Sequence, residues 1–365
     1  MLHDKSVDQY REYLKELSYP EYAYQRATDA ASRDVAPVLD LSVWNDTLPP
    51  GVIEVLARAL PKAIGSYALA QDSELTTTLA QIFGVKRDSI IITAGADDAL
   101  RIASRYSIRP GTRVLIPTPC FGRYAYHAMI NEATITYLPF DTYPYEFDIS
   151  SIVDAANKGK ADCVFIANPN SPTGHTLSLD PIRQLLAGIQ STVILDESLL
   201  PSIHSEGRAA LISEYPDLFI CGSFSKLYGL AGLRIGYLVA NPIHTKQLRQ
   251  LVSPFGVDAL ALAAAKYVLK QDKWLHMRAA AVADGIAVLR TINNPKVRVT
   301  HTQASVALLD YQGSNASLYQ RLRDAGVLTV AGQEFPGLAE TNSVRVIIKN
   351  IQDMQRLKRI VTDLT

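Results

Sequence analysis

Short apolar runs alternate with segments of helical period through the middle of the chain. The runs are SIIITAG (89–95), RVLIPTP (113–119), DCVFIANP (162–169), TVILDES (192–198), LFICGSFS (218–225) and RIGYLVA (234–240). Between most of them lie amphipathic stretches such as DDALRIASRYS, RYAYHAMIN and DPIRQLLAGIQ. Apolar, β-rich runs separated by helices predict a mostly parallel sheet covered on both faces, an α/β domain of three layers. Only a loop separates the last two runs, which predicts an antiparallel pair at the sheet edge.

From Val257 to about Ile292 the pattern is almost unbroken helix, rich in alanine and leucine. Such a helix is expected to bridge two domains. Beyond it, ASVALLDY, ASLYQRLRDAG, SVRVIIKN and DMQRLKRIVTDL read β-α-β-α and predict a smaller α+β domain. Residues 1–37 carry no strand signal, yet YPEYAYQRA (19–27) is aromatic enough to pack on something. A chain of 365 residues suits such a division. The expected boundaries are an N-terminal arm over 1–45 that joins the small domain, a large domain over 46–255, and the bridging helix with the small domain over 256–365.

Composition narrows the class without naming a chemistry. The formal net charge is zero and charged residues make up 20%, which argues against a nucleic-acid or anionic-membrane surface. The three cysteines, Cys120, Cys163 and Cys221, lack metal-site spacing and read as buried reduced thiols. The charged, amphipathic start MLHDKSVDQYREYLKEL has no apolar core for a signal peptide. A cytoplasmic globular protein is expected.

The chemistry collects at the strand ends, where sheets of this type bind ligands. Lys226 stands between Ser223 and Ser225 and among Phe224, Leu227, Leu230 and Leu233, with Arg234 eight positions later. A lysine in apolar surroundings becomes a nucleophilic amine able to form an imine with an aldehyde. The paired hydroxyls and the arginine suit an adjacent phosphate. Gly95 and Ala96 lie between a strand and a helix, where free backbone N–H groups cradle phosphate. Asp196 ends an apolar strand, and a buried carboxylate there calls for a cationic partner such as a protonated pyridine nitrogen. Phe121 lies just past another strand end, where a ring stacks on a flat heterocycle. Each feature alone has an ordinary structural explanation: a tight turn, a helix cap, a core ring. Together they describe pyridoxal 5′-phosphate.

From these motifs onward the sequence resembles the fold-type I pyridoxal-phosphate enzymes, the class I/II aminotransferase superfamily, and within it the histidinol-phosphate aminotransferase-like branch. The likeness covers nearly all of the chain after about residue 35. It implies that Lys226 forms the imine with the cofactor and shuttles a proton to and from substrate Cα. It implies that Asp196 keeps the pyridine nitrogen protonated and that Phe121 stacks on the ring. Gly95, Ala96, Asp97, Ser223, Ser225 and Arg234 would hold the phosphate. Tyr67, in SYALAQDSEL, matches the tyrosine that reaches the neighbouring subunit's phosphate, implying a homodimer with shared sites. Arg345, in SVRVII, matches the clamp on the substrate carboxylate, with Asn45 and Tyr24 as further substrate contacts.

Two positions depart from the family pattern. Ser171 stands where an asparagine usually precedes Pro-Thr-Gly, and Leu199 stands where a tyrosine usually follows the aspartate by three. Both usual donors to the cofactor's 3-oxygen are therefore altered, with Asn168 or Asn170 as the replacement. The implied reaction is transamination of an amino acid or amino-phosphate with a 2-oxo acid. The alternative is a non-transaminating enzyme of the same fold, a decarboxylase of an amino-acid phosphate or an eliminase or cyclase acting on an arginine-derived amino acid. A catalytically dead binding module is disfavoured by the retained lysine, aspartate and arginine. A nicotinamide dehydrogenase is excluded because no G-x-G-x-x-G follows an early strand.

Overall fold

The computed structural model describes residues 39–44, 48–69, 71–200, 207–313 and 317–364. Its largest element is a seven-stranded sheet built from β2 (Ile90–Thr93), β3 (Arg113–Thr118), β4 (Thr134–Pro139), β5 (Cys163–Ala167), β6 (Thr192–Asp196), β7 (Leu218–Ser223) and β8 (Gly236–Val239). The spatial order is β2-β8-β7-β6-β5-β3-β4. Every pair is parallel except the two that β8 makes with β2 and β7.

The sheet faces explain the continuous apolar runs. Side chains alternate across a strand, so a strand covered on both sides has no polar position to spare. On one face Ile92, Val164, Ile166 and Leu195 pack against helices Ser73–Phe83, Ile149–Gly159 and Leu179–Gly188. On the other, Ile91, Phe165 and Ile194 meet α3 (Ala96–Ser107), α4 (Arg123–Ile130) and helix Pro242–Gln250. This is the expected three-layer α/β/α arrangement. No helix among the described residues is long and apolar enough to cross a membrane.

Three expectations change. The β7–β8 pair is antiparallel, but β8 is interior, because β2 pairs with its far side and takes the edge. β4 was not among the expected strands. It is an edge strand with its residues half-buried or exposed, so it lacks the apolar run of its neighbours. The expected single helix from Val257 to Ile292 is two, Ala259–Val268 and α9 (Asp272–Leu289). Short i→i−3 bonds from Lys270 N to Tyr267 O (3.1 Å) and from Gln271 N to Val268 O (3.0 Å) close the first. Asp272 then opens the second, where its charge complements the helix dipole.

The C-terminal region forms a four-stranded antiparallel sheet of β9 (Val297–Val299), β10 (Val306–Tyr311), β12 (Val330–Ala331) and β13 (Ser343–Ile347), in the order β12-β13-β10-β9. Beside it β1 (Leu39–Asp40) pairs in parallel with β11 (Val327–Leu328). Leu39, Leu41, Ile286, Leu309, Val344 and Leu357 share its separate core.

The two sheets meet at the loop after β5. Thr300 Oγ donates to Thr173 O at 2.7 Å, and a Cβ at Gly174 would stand 2.0 Å from Thr302 Oγ1 and 2.4 Å from Val306 O. Gly174 also has φ +74°, a conformation that costs any other residue strain. Gly174→Ala is therefore expected to destabilise the fold by about 1–3 kcal/mol. Chemical denaturation measures this, and an unchanged midpoint would contradict the joint described.

Candidate active site

The strand ends and the small sheet enclose a cavity of about 300 Å³. Of the residues singled out in the sequence, Ala96, Asp97, Phe121, Asp196, Ser223, Ser225, Lys226, Arg234 and Arg345 line it. Asn45 and Tyr24 lie outside the described residues.

Asp196 sits at the floor, where β6 ends. Its Oδ2 accepts from the buried Tyr124 hydroxyl at 2.8 Å, and its Oδ1 accepts from Ser198 N at 2.8 Å. Tyr124 is itself fixed by stacking on Phe165, centroids 5.4 Å apart. Burial pushes the Asp196 carboxyl above its ordinary value, and the hydrogen bonds from Ser198 and Tyr124 offset that only in part. A carboxylate held this way gains from a cation placed opposite it.

The phosphate side is built at the start of α3. Gly95 occupies the N-cap position with φ 86°, and the helix has no side-chain cap. Its first N–H groups therefore need an outside acceptor, and the helix dipole favours an anion there. A Cβ at Gly95 would stand 2.8 Å from Arg234 Nη2, so glycine is what lets the guanidinium reach the helix start. Gly236 of β8 works alike, since a Cβ there would press on Gly95 C and Ala96 N at 2.6 and 2.8 Å. Ser223 Oγ accepts from Ser225 N at 2.9 Å and rims the same corner.

Asp97 has a different part from the one its place suggests. Its carboxylate accepts two bonds from Arg123, 2.8 and 2.9 Å, and meets His127 Nε2 at 3.0 Å. Burial alone would push this carboxyl up, but the bonds to His127 and Arg123 win and hold it well below the usual range. The cluster neutralises a negative charge that would otherwise stand at the helix start.

Lys226 lies in the connection between β7 and β8. Phe224, Tyr228 and Leu230 of that connection are buried beneath it. The lysine Nζ lies 4.0 Å from the centroid of the Trp44 ring. Arg345, on β13, is 7% exposed and donates through Nη2 to Ser42 O. Its Cζ is 5.5 Å from the same Trp44 ring. Phe121 is half-buried, edge-on to Tyr124 with centroids 5.9 Å apart.

The two asparagines do not line the cavity. Asn168 spends its side chain on the Leu177 backbone, donating to O at 2.9 Å and accepting from N at 2.8 Å. Asn170 donates to Pro119 O and Thr173 Oγ1, both at 3.0 Å. Both are loop anchors, and Ser171 and Ser198 face the cavity instead. The Ser198 hydroxyl is buried and has no hydrogen-bond partner among the described residues. Leu199 packs with Ala304, Val306 and Ile347. Tyr67 does not line this cavity; it is 84% exposed and its ring tilts against Phe255, centroids 4.7 Å apart.

Sequence reasoning passed over Tyr124, Arg123, His127 and Trp44. The first three sit in a helix read only for its period. Arg123 and His127 are four apart and so share a face, which was a usable signal for a common anionic partner.

Pyridoxal 5′-phosphate fits these residues. The floor offers a buried carboxylate for a cationic nitrogen, the rim an uncapped helix start with Arg234 beside it, and the wall a primary amine with Ser171 and Ser198 near it. The sequence profile described as "Aminotransferase class I and II" matches residues 41–362. The chain belongs to that family, the pyridoxal-phosphate-dependent aminotransferases. It is 30% identical over 304 residues to histidinol-phosphate aminotransferase 1 of Nitrosococcus oceani, covering 81% of this chain and 80% of the relative. Among solved structures, histidinol-phosphate aminotransferase of Sinorhizobium meliloti in complex with pyridoxal 5′-phosphate superposes with a TM-score of 0.84 at 19% identity, over 100% of this chain and 98% of that one. The L-threonine-O-3-phosphate decarboxylase of Porphyromonas gingivalis superposes with a TM-score of 0.73 at 26% identity, over 89% and 98%.

The raised Asp196 carboxyl fixes a sign. Between the ordinary carboxylate value and the raised one, the folded protein keeps a proton that the unfolded chain has released. Stability of the cofactor-free protein therefore falls as pH rises through that window and stays lower above it. Asp196→Asn is expected to melt higher than wild type at neutral pH without cofactor, by about 1–3 kcal/mol, and to converge with it in acid. An equal or lower stability at neutral pH would contradict the burial cost assigned to Asp196.

Proposed function

We propose that this enzyme transaminates an amino acid or amino-phosphate with a 2-oxo acid in a homodimer with shared sites. The observation that carries the reading is the convergence of Lys226, Asp196, Arg234 and Arg345 on one cavity. Relatives matched over about four-fifths of both chains are aminotransferases, which favours transamination over the decarboxylase, eliminase or cyclase alternative.

Bound there, the cofactor supplies an aldehyde carbon and a ring that draws electrons from substrate Cα. Asp196 holds the proton on the ring nitrogen, and Tyr124 and Ser198 N keep that carboxylate aimed. The start of α3, Ser223, Ser225 and Arg234 hold the phosphate, and Phe121 covers one ring face. Arg345 grips the substrate carboxylate and so orients the bonds at Cα. Lys226, once its amine is free, carries the proton away from Cα and returns it. The apolar burial around the lysine loop excludes water from that transfer.

The dimer is supported by what the single chain leaves uncovered. Ile53, Leu60 and Ile64 are 56%, 43% and 78% exposed on helix Val52–Gly65. Their spacing puts them on one face, next to the exposed Tyr67 and Leu69. Three buried free cysteines support a cytoplasmic setting.

Borohydride reduction followed by peptide mass spectrometry is expected to find the cofactor on Lys226. Lys226→Ala should lose both the adduct and turnover, and an active, unlabelled variant would overturn the reading. Incubation with amino acids should convert the cofactor to its amine form; carbon dioxide release without that form would favour decarboxylation. Arg345→Gln should raise KM for the amino acid at least tenfold, corresponding to the loss of a bidentate carboxylate contact. Ile64→Glu should yield monomers with reduced activity in sedimentation velocity and assay, whereas an active wild-type monomer would contradict the shared site.

A further inference from the structure

Trp44 is a large aromatic residue that lines the catalytic cavity beside Lys226. The segment that precedes it is fixed at Leu41. Leu41 N donates to Leu328 O at 2.8 Å, and Ile347 N donates to Leu41 O at 3.0 Å, pinning the segment to the small sheet. The indole packs against the cluster of Leu199, Ala304, Val306 and Ile347. It therefore comes to the site from the small sheet while Lys226 comes from the large one.

The indole borders two spaces. One is the main cavity of about 300 Å³. The other is a small pocket of about 20 Å³, walled by Leu200, Leu227, Ala279 and Val282 with Arg278 and Ser305 at its edge. Trp44 and Lys226 line both. The ring also lies near both Lys226 and Arg345, 4.0 Å from Lys226 Nζ and 5.5 Å from Arg345 Cζ.

We propose that Trp44 is the specificity-determining wall of the substrate site, a partition that closes the apolar pocket behind it and limits the side chain accepted. The inference rests on the reading above that the lysine and the carboxylate clamp flank substrate Cα. A group held between Lys226 and Arg345 lies against the indole, so a substrate side chain runs along the ring and cannot pass through it. Removing the indole joins the main cavity to the pocket and adds the ring's own volume, lined by aliphatic side chains. The accepted side chain then lengthens, and the gain is in apolar groups, because the pocket walls are mostly aliphatic. The hydrophobic term grows with each buried methylene, so the shift builds along a homologous series.

The test compares wild type, Trp44→Ala and Trp44→Phe, each loaded with cofactor, on a straight-chain series of 2-amino acids from alanine to 2-aminooctanoate. Two readouts are used: conversion of the cofactor to its amine form, and equilibrium binding of the matching 2-methyl amino acids, which cannot lose a Cα proton. The ratio of kcat/KM for the longest to the shortest member is expected to rise at least tenfold in Trp44→Ala, through a lower KM for long members. Trp44→Phe should fall between the two. The binding series should shift in the same direction. Equal losses along the whole series, or an unchanged ratio in both variants, would overturn the proposal. If no amino acid converts the cofactor, the transaminase reading fails, while the binding series still decides the role of Trp44. The phenylalanine variant keeps the question answerable should the alanine variant not fold.

Discussion

The site depends on a carboxylate buried where the sheet's middle strand ends. Asp196 is 6% exposed and accepts hydrogen bonds from Tyr124 and Ser198, an arrangement that fixes its direction without neutralising its charge. A protonated ring nitrogen brings the missing cation. In the proposed function, the burial that is unfavourable to the cofactor-free protein becomes a source of cofactor affinity and of the ring's electron demand. The other groups are arranged around the flat molecule that this carboxylate selects.

That arrangement needs both sheets. The large sheet supplies Asp196, the uncapped helix start and the lysine loop, while the small sheet supplies Arg345 and, through Ser42 and Trp44, the opposite wall. Close backbone approaches hold the pieces in register. Gly95 and Gly236 let Arg234 and β8 press on the start of α3, and Gly174 lets the loop after β5 meet Thr302 and Val306. Glycine at these points reflects space more than flexibility, since a Cβ would fall within 3 Å of a neighbour at each. Asp97 shows the same economy in charge: Arg123 and His127 absorb its carboxylate, which lowers the negative charge at the start of α3.

Much of this was legible in the chain. Interior parallel strands are covered on both faces, so Cys163–Ala167 and the strand ending at Asp196 read as unbroken apolar runs. The residues at their ends then stood out by contrast, which is how Asp196, Phe121 and Lys226 came forward. β4 escaped because its residues are half-buried or exposed and it carries no such run. The break between Val268 and Asp272 escaped because alanine and leucine continue on both sides, and backbone bonds alone end the first helix. Asn168 and Asn170 looked like cofactor donors by composition, but their amide nitrogens donate within the loops, which no local pattern reveals. Tyr124 and Trp44 matter through contacts 72 residues and a whole sheet away, so their parts become visible only once the chain is folded.

The central claim is that Asp196 keeps the bound ring nitrogen protonated. Reconstitution with ring-¹⁵N cofactor and observation of the nitrogen resonance across neutral pH tests it most directly. The account predicts a pyridinium shift that persists well above the pH at which the free cofactor's nitrogen loses its proton, and that disappears in Asp196→Asn. An unprotonated pyridine shift in the wild-type protein at neutral pH would contradict it.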